Sequence, residues 1–140
     1  MAEKKPQTSH NLNITELDSF LKTFAKQLRG GEIIALIGDL GAGKTTLTQK
    51  LGKLLKIKKR ITSPTYILLQ EFQGLLPNTK LASREVTVHH LDLYRTEGFA
   101  ETKALGLPEF WGKPGTITII EWADKIIDHL PPNTIKIYLT

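Results

Sequence analysis

The chain has 140 residues, of which 40% are hydrophobic and none is cysteine, and its formal net charge is +5. This length suits a single domain spanning residues 1–140, and the lack of cysteine excludes disulfides and thiolate metal sites. No run reaches the roughly 18 apolar residues that a membrane span needs, and the first residues lack the apolar stretch of a secretory signal. We therefore expect a soluble, cytoplasmic protein whose positive charge favours an acidic partner such as nucleic acid.

The first predicted helix follows a polar terminus. Residues 1–11 show no hydrophobic pattern, so we expect them to be flexible. Apolar residues then recur at helical spacing over residues 17–28, and Gly30-Gly31 should end this helix. Thr15 and Asp18 have the spacing of a capping box, which predicts that they cap its first turn.

An apolar strand, a glycine-rich loop and a second helix come next. Ile33–Ile37 contains no polar residue, which is typical of a strand covered on both faces in a parallel sheet. The helix after the loop carries leucines on one face: Leu47, Leu51, Leu54 and Leu55. Tyr66 to Phe72 and Val86 to Asp92 then predict a hairpin, with Gly74 in its connection.

The last third of the chain predicts two more strands and a short helix. Thr116 to Glu121 and Ile135 to Leu139 are the strands, and the helix spans Ala123 to Leu130 before two prolines. Strands that alternate with helices indicate an α/β fold. We expect a three-layer sandwich with a mostly parallel sheet and an antiparallel hairpin.

The loop between the apolar strand and the second helix reads Gly38-Asp39-Leu40-Gly41-Ala42-Gly43-Lys44-Thr45. Its spacing and its setting match the phosphate-binding loop of P-loop NTPases. Glycines allow backbone N–H groups to turn toward phosphate oxygens at a helix N-terminus. Lys44 would reach the β- and γ-phosphates of ATP, and the Thr45 hydroxyl would ligate Mg²⁺. The alternative is a glycine-rich turn with an exposed lysine.

Two carboxylates that follow apolar strands are candidates for the rest of the site. Asp92 and Glu121 each stand where a predicted strand turns polar. Because ligands of open α/β sheets bind at the carboxyl ends of strands, one carboxylate should hold Mg²⁺, directly or through water. The other could align the attacking water. The alternative for each is a surface carboxylate without a role.

Other features have both a functional and a structural interpretation. Thr65, in the turn Ser63-Pro64-Thr65, could sense the γ-phosphate or only form the turn. Trp122 could stack on adenine or belong to the core. The basic run could touch RNA or form a solvated helix end: Lys50, Lys53, Lys56, Lys58, Lys59 and Arg60. His89 and His90 lack the partner spacing of a zinc site.

Four motifs stand in a specific order: Gly38 to Thr46, Ser63 to Tyr66, His90 to Arg95, and Glu121-Trp122. In this order and at these separations they closely resemble the bacterial TsaE family, also called YjeE. These are small ATPases of the tRNA threonylcarbamoyladenosine pathway. The resemblance extends from about Leu17 to Trp122.

The resemblance implies roles for individual residues. The first motif, through Thr46, would bind ATP, with Lys44 on its phosphates. Thr45 and Glu121 would hold Mg²⁺, and Asp92 would assist hydrolysis. The turn that contains Thr65 would act as a switch, and Trp122 would lie near the nucleotide.

The resemblance also implies partners. The ATPase would join the TsaB and TsaD proteins, and hydrolysis would support repeated cycles in which TsaD modifies adenosine 37 of tRNA. Contact with tRNA would be indirect or weak, and activity without the partners would be low. Two alternatives remain: a small-molecule kinase, and a nucleotide-dependent assembly module with little turnover.

Overall fold

The computed structural model describes residues 9–39, 41, 43–59, 61, 69–78, 80–81, 84–96, 98–104 and 106–140. Its strands are β1 (Ser9–Leu12), β2 (Ile33–Ile37), β3 (Leu69–Leu75), β4 (Glu85–Asp92), β5 (Thr116–Glu121) and β6 (Ile135–Leu139). They form one sheet in the order β1-β6-β2-β5-β4-β3. Every pairing is parallel except the antiparallel pair β3–β4. The predicted mostly parallel sheet with one hairpin is thus confirmed.

Helices cover both faces of the sheet and complete the three layers. Helices α1 (Leu17–Gln27) and α2 (Lys44–Leu54) pack on one face through the larger core cluster. The other face holds a smaller cluster beneath α3 (Phe99–Ala104) and two 3₁₀ helices, Leu107–Phe110 and Ala123–His129. The last of these matches the predicted short helix, whereas α3 was not predicted. In the described part of the chain, no helix is both long and apolar enough to cross a membrane.

The predicted flexible terminus is wrong for residues 9–11. These residues belong to β1 and pair in parallel with β6, and Leu12 at the end of β1 is buried. The His10 ring also lies 4.9 Å from the Phe20 ring. A short edge strand is held largely by backbone hydrogen bonds, which leave no hydrophobic pattern in the sequence. Residues 1–8 lie outside the described part.

The cap of the first helix is displaced from the predicted one. Asn13 Oδ1 accepts from the Thr15 N–H, and Glu16 Oε1 accepts from the Asn13 N–H, each at 3.0 Å. This capping box closes a 3₁₀ turn that leads into α1. Asp18 instead pairs with Lys50 of α2 at 2.7 Å. Asparagine caps helices as well as threonine does, so spacing alone does not favour Thr15 over Asn13.

Gly74 lies inside β3 and not in the predicted connection, because β3 continues past Phe72. It is paired with Val86 of β4. A Cβ on Gly74 would lie 2.6 Å from the carbonyl oxygen of Leu55. Glycine is therefore required here by the close approach of two backbones, which sequence alone does not distinguish from a turn. The first residues of the predicted strand, 66–68, lie outside the described part.

We expect Gly74→Ala to lower the free energy of unfolding by about 1–3 kcal/mol. The Leu55 oxygen belongs to the backbone, so it cannot swing aside as the end of a side chain can. Urea denaturation followed by circular dichroism measures the change. The neighbouring exposed residue provides a control, since Gln73→Ala should cost less than about 0.5 kcal/mol. Equal stability of the two variants would contradict the close approach.

Candidate active site

The glycine loop joins β2 to α2, as predicted. Gly41 and Gly43 have φ angles of +84° and +107°, a region that favours glycine. Among the described residues, no atom would lie within 4 Å of a Cβ on Gly41, so the backbone conformation, and not the available space, calls for glycine. Gly43 is the N-cap of α2 and offers no side-chain oxygen that would compete with an anion. Two residues of the predicted loop, Leu40 and Ala42, lie outside the described part.

The Lys44 side chain is buried, and its ammonium lies against the loop. Nζ donates to the carbonyl oxygens of Gly38 and Asp39, at 2.9 Å for Asp39. The ring centroid of Trp122 lies 3.8 Å from the same ammonium. Burial lowers the pKa of Lys44, and Glu121 is the carboxylate that opposes this most. A charge so poorly screened by water attracts an anion strongly.

The Thr45 hydroxyl meets the Glu121 carboxylate. Thr45 Oγ1 donates to Glu121 Oε1 at 3.0 Å, and the Glu121 side chain is buried at the end of β5. In the parallel register, Glu121 is aligned with Leu36 of β2 and with Asp92 of β4. The sheet thus brings the glycine loop and both predicted carboxylates to one edge. A hydroxyl and a carboxylate are hard oxygen donors, so this pair fits the predicted Mg²⁺.

Asp92 is half-buried beside Glu121. Its Oδ1 accepts from the Tyr94 N–H at 3.0 Å, which fixes the carboxyl group at the end of β4. Burial raises the pKa of Asp92, and the Glu121 charge raises it further, while the Tyr94 hydrogen bond is the main opposing contact. Asp92 is therefore a stronger base toward water than an ordinary aspartate.

The raised pKa predicts that Asp92→Asn stabilises the fold at neutral pH. The folded state favours the neutral carboxyl. The stabilising contribution of Asp92 to the free energy of unfolding is therefore fully present below pH 3.8 and is lost as pH rises through the raised pKa. Asparagine keeps the acceptor for Tyr94 and carries no charge. Urea denaturation should show the variant more stable at pH 7, with the gain shrinking as the pH approaches 4. A gain independent of pH would contradict the prediction.

His90 begins one of the four motifs, but no role was predicted for it. It is fully buried in β4, and its Nε2 lies 2.5 Å from Glu121 Oε2. Its Nδ1 lies 3.4 Å from Gln70 Oε1 of β3. The available signal was strand alternation, since His90 and Asp92 are two residues apart and share one face of β4. The observed partner of His90 is a carboxylate and not a metal ion.

Trp122 lies between the loop lysine and an exposed tyrosine. Its ring faces the Lys44 ammonium on one side, and the Tyr94 ring centroid lies 5.0 Å away. Trp122 has a φ of +61°, which turns the chain directly after β5. The side chain is half-buried and also packs on the smaller core cluster. Stacking on adenine stays a prediction, because the observed contact is with the residue expected to bind phosphates.

The other predicted residues are less defined. Thr65 and its turn lie outside the described residues, and Thr46 is half-buried in the first turn of α2. In the basic run, Lys50 pairs with Asp18. Residues 56–59 line a cleft of about 650 Å³ beside β3, and none of the described residues of the glycine loop lines it.

Known proteins resemble this chain over most of its length. The family model of the threonylcarbamoyl adenosine biosynthesis protein TsaE matches residues 12–140. The TsaE proteins of Bacillus subtilis and of Nostoc sp. are 33% and 42% identical, over 91% and 81% of this chain. The chain covers 73% and 65% of those two relatives. The crystal structure of Bacillus subtilis YdiB matches with a TM-score of 0.56 and 29% identity, over 86% of this chain and 66% of that one.

The matched residues include the glycine loop, Asp92 and Glu121, so the comparison covers the site as well as the sheet. The four sequence motifs and the fold agree with this match. The chain belongs to the TsaE family of threonylcarbamoyl adenosine biosynthesis proteins.

Proposed function

We propose that this chain binds ATP with Mg²⁺ and hydrolyses it, as a component of the machinery that makes tRNA N6-threonylcarbamoyladenosine at adenosine 37. The observation that carries the proposal is the meeting of Lys44, Thr45 and Glu121 where β2 and β5 end. A lone glycine loop would bind an anion. A loop with a buried ammonium, a hydroxyl and a carboxylate suits a nucleoside triphosphate with its metal.

Phosphate binding would use the ammonium that the loop already holds. The Lys44 ammonium would exchange its bonds to the Gly38 and Asp39 carbonyls for bonds to the β- and γ-phosphate oxygens. Trp122 would cover the ammonium on its other side and keep water from it. The N-terminus of α2 would add its backbone N–H groups and its dipole.

Metal binding would use the pair at the start of α2 and the end of β5. Thr45 Oγ1 and Glu121 Oε1 would hold Mg²⁺, with phosphate oxygens and water as the remaining ligands. When bound, Mg²⁺ would neutralise charge on the β- and γ-phosphates. The buried position of Glu121 would keep its carboxylate in a single orientation.

Hydrolysis requires an oriented water. Asp92 lies beside Glu121 in the sheet register, and its raised pKa suits a group that accepts a hydrogen bond or a proton from that water. Activity of the isolated chain should be low, because sites of this class commonly wait for a partner to complete them. By the family resemblance, the partners would be TsaB and TsaD, with tRNA contacted indirectly or weakly.

The experiment is a reconstituted modification reaction with TsaB, TsaD, the threonylcarbamoyl donor, tRNA and ATP. We expect modified adenosine to accumulate beyond one equivalent of TsaD only when the chain is present. Mass spectrometry of the digested tRNA measures the yield. Equal yields with and without the chain would overturn its proposed place in this machinery.

A further inference from the structure

Two adjacent buried histidines of β4 each contact a glutamate, on opposite faces of the sheet. His89 Nε2 lies 2.9 Å from Glu71, whose side chain is 60% exposed. His90 Nε2 lies 2.5 Å from Glu121, whose side chain is 2% exposed. The two pairs have the same chemistry, but only the second includes a carboxylate of the candidate active site. His89 is therefore a control for His90 on the same strand.

The contacts of Glu121 fix both of its carboxylate oxygens. Oε1 accepts from the Thr45 hydroxyl at 3.0 Å, and Oε2 faces His90. A carboxylate is an acceptor, so the His90 Nε2–H donates to it. Gln70 lies on the other side of the imidazole ring, with its Oε1 3.4 Å from Nδ1. The ring has no exposed surface, so it cannot leave Glu121 by turning into solvent.

We propose that His90 is a positioning residue for the magnesium site: by holding Oε2, it directs Oε1 of Glu121 toward Thr45. The inference rests on the proposed function, because it assumes that Thr45 and Glu121 receive the metal. A carboxylate free to rotate would have to be ordered each time the metal binds. A buried hydrogen bond that orders it beforehand raises metal affinity, as outer contacts to metal ligands generally do.

A purely structural role makes a different prediction. If His90 only fills space and satisfies a buried carboxylate, its replacement lowers stability and leaves the Mg²⁺ requirement unchanged. If it positions Glu121, the Mg²⁺ requirement changes while binding without metal does not. The dependence of nucleotide binding on Mg²⁺ therefore separates the two roles.

The test compares two amides at position 90. In His90→Gln, the side-chain nitrogen reaches the place of Nε2 and donates to Glu121. In His90→Asn, the side chain is too short to do so, although its polarity is the same. His89→Asn is the control on the opposite face. Binding of a fluorescent ATP analogue is measured in EDTA and over a Mg²⁺ titration, with thermal unfolding recorded for every variant.

We expect His90→Asn to raise the Mg²⁺ concentration at half-maximal effect by about tenfold or more, with binding in EDTA unchanged. His90→Gln should restore most of the loss, and His89→Asn should match the wild type. Equal Mg²⁺ midpoints for the two position-90 variants would overturn the inference. A His90→Asn variant that loses as much nucleotide binding in EDTA as in Mg²⁺ would overturn it too. If the wild type binds no nucleotide, the proposed function itself fails. If the wild type binds the ATP analogue with the same affinity in Mg²⁺ and in EDTA, the magnesium site is refuted while nucleotide binding stands.

Discussion

Replacing Lys44 with alanine is expected to abolish nucleotide turnover and to weaken ATP binding by about 10- to 100-fold. The ammonium is the charge that the structure holds inside the glycine loop, between two backbone carbonyls and the Trp122 ring. The variant removes that charge from the phosphates, so hydrolysis should fall by roughly 100-fold or more. Calorimetric titration and phosphate release measure the two effects.

The fold should survive this change. Burial lowers the pKa of Lys44, which means that the folded state pays a penalty for its charge. Lys53→Ala is a matched control, because Lys53 is an exposed lysine on the same helix. If both variants bind ATP as the wild type does, the glycine loop is not the nucleotide site.

Replacing Glu121 with glutamine is expected to remove hydrolysis, by roughly 100-fold or more, while leaving ATP binding in EDTA unchanged. Glutamine has the shape of glutamate but lacks the charge that Mg²⁺ requires. Its amide nitrogen would also face a donor, either the Thr45 hydroxyl or the His90 ring. The variant therefore removes the charge and also replaces one of the two acceptor oxygens with a donor.

The measurement for Glu121→Gln is phosphate release over a Mg²⁺ titration, beside ATP binding with and without the metal. Glu85→Gln is the control, since Glu85 is exposed at the opposite end of the neighbouring strand β4. A Glu121→Gln variant that hydrolyses ATP at the wild-type rate would exclude this carboxylate from the metal site.

Local patterns were sufficient to predict the centre of the fold. The apolar run Ile33–Ile37 and the strand Thr116–Glu121 have the predicted bounds. Buried parallel strands are rich in apolar and β-branched residues, and both segments carry that signal. The edge strand β1 and helix α3 were missed. Each is short, and each depends on contacts with distant residues more than on its own periodicity.

The site residues that belong to a local motif were predictable. The contacts that depend on how the strands are paired were not. The glycine pattern singled out Lys44 and Thr45, and the ends of apolar strands singled out Asp92 and Glu121. No role was predicted for His90, because its contact with Glu121 depends on the alignment of β4 with β5. The contact of Trp122 with Lys44 depends on a positive φ that no local pattern signals.

The most direct test of the central claim is phosphate release from Mg-ATP by the purified chain, alone and with TsaB and TsaD, with Lys44→Ala as the control. We expect slow release by the chain alone, faster release with the partners, and none above background in the variant. ATP binding without release in either setting would contradict the hydrolase function and favour a nucleotide-dependent assembly module.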